Sequence, residues 1–66
     1  METQVEFIIN VLDNLSYMLS NIDDTLVALK TLKTVDAIKC DNALTNIARL
    51  RDDVSDMLNI ERSKLV

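Results

Sequence analysis

The chain contains no glycine, no proline and no histidine, and only one cysteine. Each absence removes a class of protein. β-rich and loop-rich domains need residues for positive φ and tight turns, so a sequence without Gly or Pro points to long helices joined by few turns. A lone Cys40 cannot close an internal disulfide. Without histidine the commonest metal ligand is missing, as is the usual general base for a nucleophilic thiol. Aromatics are limited to Phe7 and Tyr17, which supplies no platform for stacking nucleic-acid bases. No cofactor is expected, and no enzyme.

Long apolar runs are missing too. Nearly half of the residues are hydrophobic, yet they occur in short runs such as Phe7-Ile8-Ile9, far below the roughly 20 residues of a membrane span. The basic-then-apolar pattern of a leader is not seen in the sequence, and none is expected. Together with the single cysteine, these features lead us to expect a soluble protein of a reducing, cytoplasmic compartment.

Basic charge is absent from the first 29 residues. Glu2, Glu6, Asp13, Asp23 and Asp24 stand there without a Lys or Arg, whereas the remainder carries seven basic side chains against six acidic ones; the net charge is −4. An acidic amino-terminal half argues against nucleic acid or an anionic membrane as partner. It also favours the two halves lying side by side, although exposed ion pairs orient more than they stabilise.

What the sequence does contain is a seven-residue repeat. With Val5 at heptad position a and Ile8 at d, the a positions read Val5, Leu12, Leu19, Leu26, Lys33, Cys40, Ile47, Val54 and Glu61. The d positions read Ile8, Leu15, Ile22, Leu29, Asp36, Ala43, Leu50, Met57 and Lys64. All are apolar except Lys33, Asp36, Glu61 and Lys64. A repeat sustained over this many heptads is the pattern of a coiled coil or helical bundle. The apolar members, from Val5 to Leu29 and from Cys40 to Met57, form the expected interaction seam.

The polar pair Lys33 and Asp36 interrupts the seam near the middle of the chain. Thr34 is a candidate N-cap for a second helix starting at Val35, with Asp36 favourable in its first turn; Asp41 or Asn42 are later alternatives. The reading is therefore all-α: an antiparallel two-helix hairpin over residues 1–66 with its turn near 31–36. The rival is one long coiled-coil helix, because the same frame holds on both sides of the gap and an unbroken helix keeps it automatically. Ser20-Asn21-Ile22-Asp23 resembles a capping box, but Leu15, Leu19, Ile22 and Leu26 pass through it in register. At the amino terminus, Thr3-Gln4-Val5-Glu6 fits a capping box with Thr3 as N-cap. Arg62 and Lys64 fall in the final turn, where they complement the helix dipole.

The stripe is wide. Positions e and g, which carry charge in a two-stranded coiled coil, here include Ile9, Val11, Met18, Leu32, Ala37, Leu44, Leu58 and Ile60. Such a face suits a bundle of three or four helices. At 66 residues the chain is near the lower limit for an independent core, so association with a protein partner is expected. A homodimer forming four helices is preferred. The alternatives are a small chaperone or regulator covering a helix of another protein, and a parallel oligomerisation rod. Cys40 reads as a small buried apolar residue. Asp52, Asp53 and Asp56 read as a solvated face near Arg49, because no glycine-turned loop gathers them around an ion.

Overall fold

The computed structural model describes residues 2–65. They form two α-helices of 27 residues each, α1 (Gln4–Lys30) and α2 (Ala37–Ser63), folded back on each other. No strand occurs among the described residues. The turn occupies 31–36, so the chain is a hairpin and the single continuous rod is excluded. Among the described residues, no helix is long and apolar enough to cross a membrane.

α1 starts where its sequence signals a start. The Thr3 hydroxyl oxygen accepts from the Glu6 amide at 3.1 Å, satisfying one of the orphan N–H groups at the helix end. Glu6 does reach back, but to the Thr3 hydroxyl, which donates to its carboxylate at 3.0 Å. The Ser20 region is uninterrupted helix.

The turn is made without a left-handed residue, consistent with the absence of glycine; no described residue has positive φ. Instead, α1 tightens at its end. The Thr31 amide donates to the Ala28 carbonyl at 3.2 Å and the Leu32 amide to the Leu29 carbonyl at 3.0 Å, while the Thr31 hydroxyl adds a 2.7 Å bond to Ala28. These i→i+3 bonds satisfy carbonyls that the α-helical pattern leaves free.

The start of α2 differs from the expectation. Asp36, not Thr34, Asp41 or Asn42, is the N-cap: its backbone is extended and its carboxylate accepts from the Lys39 amide at 3.1 Å. A carboxylate serves well there because it also faces the positive end of the helix dipole. Lys33 and Asp36 thus belong to the turn and the cap and are not polar residues within a seam.

The core is small. Leu12, Leu19, Val54 and Leu58 are buried against one another, with Ile8, Ile9, Leu15 and Ile47 half-covering them. Cys40 is buried separately, nearer the turn, and is a free thiol.

Candidate functional site

An α-helix turns about 100° per residue, so relative to an a position, e lies about 40° to one side and d about 60° to the other. In α1 the buried residues Leu12 and Leu19 are both at a, and Ile9, Ser16 and Asp23, half-buried, are at e. In α2 the buried residues are Cys40 and Val54 at a and Leu58 at e, with Leu44 half-buried at e. The contact within the hairpin therefore runs mainly along a and e.

Position d behaves differently. Of the expected seam, Leu12, Leu19, Cys40 and Val54 are buried, and Val5, Ile8, Leu15, Leu26, Ala43 and Ile47 are half-buried. Ile22, Leu29, Leu50 and Met57, all at d, are exposed in the single chain, Leu50 by 43% and Met57 by 49%. The seam as expected thus does not close completely within one hairpin. Leu58, Leu44 and Ile9, which the a/d frame alone leaves out, supply part of the contact; their apolar character at e was the visible signal.

Two antiparallel helices that meet through the same heptad positions turn the same flank to the same side of the pair. Reversing a helix reverses both its sense of rotation and its inward direction, and the two reversals cancel. The d and g positions of α1 and α2 accordingly share one side of the hairpin, and b and e share the other.

Ion pairing agrees with this assignment. The three pairs between the helices, Arg62–Asp13 at 3.0 Å, Arg51–Asp23 at 3.8 Å and Lys30–Asp41 at 2.6 Å, each join a b or e residue to a b or e residue. A shallow open depression lined by Ser16, Ala48, Arg51, Asp52 and Ser55 lies on that same polar side. The opposite side presents Val11, Met18, Ile22 and Leu29 from α1, and Leu50, Met57 and Ile60 from α2, all exposed. This apolar face is the candidate functional site.

Charge around the face is unequal. Between Thr3 and Leu32, every acidic residue of α1 stands at b, e or f, and positions c, d and g carry no charge. The same positions of α2 include Lys39, Arg49, Asp53 and Asp56. Phe7 and Tyr17 are exposed off the seam, as single surface aromatics commonly are.

Asp52, Asp53 and Asp56 are exposed on α2. Among the described residues, no group of three or more Cys, Asp or Glu side chains converges as ion ligands would. Compared with family models, with curated proteins and with solved structures, the chain matches none.

Proposed function

We propose that the chain is a non-enzymatic protein–protein interaction module that self-assembles, two hairpins laying their d/g faces together to close a four-helix bundle. One observation carries the reading: the hairpin closes its internal contact mainly through a and e and leaves Val11, Met18, Ile22, Leu29, Leu50, Met57 and Ile60, all at d or g, exposed on a single side. In a four-helix bundle each helix needs two contact flanks, one toward each neighbour, with a and d toward the centre. A lone hairpin occupies only one flank.

The dimensions support it. A stable, specific interface buries roughly 800 Å² per partner, and the hairpin's broad side, 50 × 19 Å, is large enough to supply it. Contiguous apolar faces of this kind are uncommon on monomers and mark association surfaces. Because the same patch meets its own copy, the contact is isologous and closes at two chains. A cytoplasmic, reducing location belongs to the same proposal, supported by the free, buried thiol of Cys40.

Sedimentation equilibrium over a wide concentration range tests the reading, with helicity recorded in parallel. The expected result is a dimer whose helix content falls on dilution, since isolated helices of this composition are marginal. A folded monomer at every concentration overturns it. So does a chain that stays unfolded alone and folds only on adding another protein, which instead identifies a cover for a foreign helix.

A further inference from the structure

Resting on that reading, the distribution of charge decides how the two hairpins are oriented. We propose that they pack with their turns at opposite ends, α1 against α1 and α2 against α2 of the second copy, about a two-fold axis perpendicular to the helices. The rival closed arrangement puts both turns at one end and sets α1 against α2 of the second copy.

The two arrangements bring different residues together. α1 (Gln4–Lys30) and α2 (Ala37–Ser63) are equally long, with midpoints at Tyr17 and Leu50. An axis crossing both midpoints overlaps the copies along their full length. With turns opposite, the uncharged stripe of α1 meets itself: Met18 faces its copy and Leu15 lies near Ile22 of the copy. On the other helix, Leu50 faces its copy, Asp36 approaches Lys64 of the copy, and Arg49 approaches Asp53. Along α1 no charge enters the contact, and on α2 these two pairs of charges meet their opposites, while Lys39 lies against Ile60 of the copy.

With turns together, the charges of α2 fall instead on the uncharged stripe of α1. Asp53 would lie against Leu15 of the copy, and Lys39 against Leu29. Covering a charged group with an apolar one costs solvation and returns no partner. The acidic residues of α1 do not oppose the α1–α1 contact, because they stand at b, e and f on the far flank. Rejecting a wrong arrangement through unpaired charge is a recognised source of specificity.

Single-cysteine variants, Met18→Cys or Leu50→Cys in a Cys40→Ala background confirmed as helical and dimeric, test the orientation with a short bismaleimide linker. Each variant alone is expected to cross-link to its own copy. If neither links alone but an equimolar mixture of the two does, the turns lie together and the proposal is overturned. A dimer linked in none of these mixtures overturns it as well. A monomer by mass overturns the self-assembly reading itself, so the two failures are distinguishable.

A second measurement leaves the interface untouched. Thr34→Cys, in the exposed turn, carries a spin label in the same background. Turns at opposite ends give a label separation near the 50 Å hairpin length. A separation within roughly 20 Å, the diagonal of four helices packed 8–10 Å apart plus label reach, overturns the orientation.

Discussion

The Arg62 guanidinium donates to the Asp13 carboxylate at 3.0 Å, tying the end of the second helix to the first across 49 positions of sequence. With Arg51–Asp23 and Lys30–Asp41 it forms a ladder along one edge of the hairpin. In two of these pairs an acidic residue of the first half meets a basic residue of the second, and Lys30–Asp41 has the reverse sense; all three lie on the side away from the apolar face. Both partners are well exposed, so the pair should add little energy. Arg62→Ala is expected to cost less than about 1 kcal/mol, and the difference should shrink at high salt. Urea unfolding at low and high ionic strength measures this; a loss several times larger that ignores salt would contradict it.

The core should respond far more strongly. Leu19 is 3% exposed and packs in the same cluster as Val54. Leu19→Ala is expected to destabilise by about 2–5 kcal/mol, a large part of the stability of so small a domain. Circular dichroism at low protein concentration should show most helix lost. A variant retaining wild-type helicity and midpoint would mean that these leucines are not the core.

Glu61 offers a change in the opposite direction. It stands at an a position of α2, and one carboxylate oxygen is buried without a hydrogen-bond partner, the other accepting from Lys64 at 2.9 Å. An unpaired buried acceptor costs about 1–3 kcal/mol. Glu61→Leu should therefore raise stability by about 1 kcal/mol, read as a higher urea midpoint at unchanged slope. A lower midpoint would show that the carboxylate is better solvated than its position implies.

The cap at the turn is separable from packing. Asp36→Ala removes the acceptor for the Lys39 amide and is expected to cost about 1 kcal/mol, whereas Asp36→Asn retains most of it. Thr34→Ala, at the position that sequence alone favoured, should be nearly neutral. Equal losses at both positions would contradict the assignment of Asp36.

Neighbouring residues in α1 discriminate the two sides of the hairpin. Met18, 52% exposed, lies on the proposed interface at g, while Tyr17, 70% exposed, points away at f. Met18→Asp is expected to drive the chain toward monomer, and Tyr17→Asp to leave its mass unchanged, by sedimentation. The reverse outcome would place the interface on the other side.

Sequence alone determined that the chain is helical and that Thr3 caps its first helix, and it marked 31–36 as the place for a turn while leaving one continuous helix as the rival. These are local matters: a capping hydroxyl, an uninterrupted period, and a polar gap in the apolar stripe each act within a few residues. It also determined that the stripe is too wide for one partner helix. The cap of α2 was less legible, because Thr34 and Asp36 are both good N-caps and only the path of the turn chooses between them.

Tertiary structure alone decided how that width is divided. In α2, Leu44 and Leu58 at e are as apolar as Leu50 and Met57 at d, so composition cannot say which pair turns inward. The choice depends on how α2 rotates to meet the Leu12–Leu19 ridge, with ion pairs along the b/e edge. That rotation buries Leu58 and leaves Leu50 and Met57 in water. Helix formation follows from near neighbours in the chain, whereas the face a helix buries is set by the partner it meets.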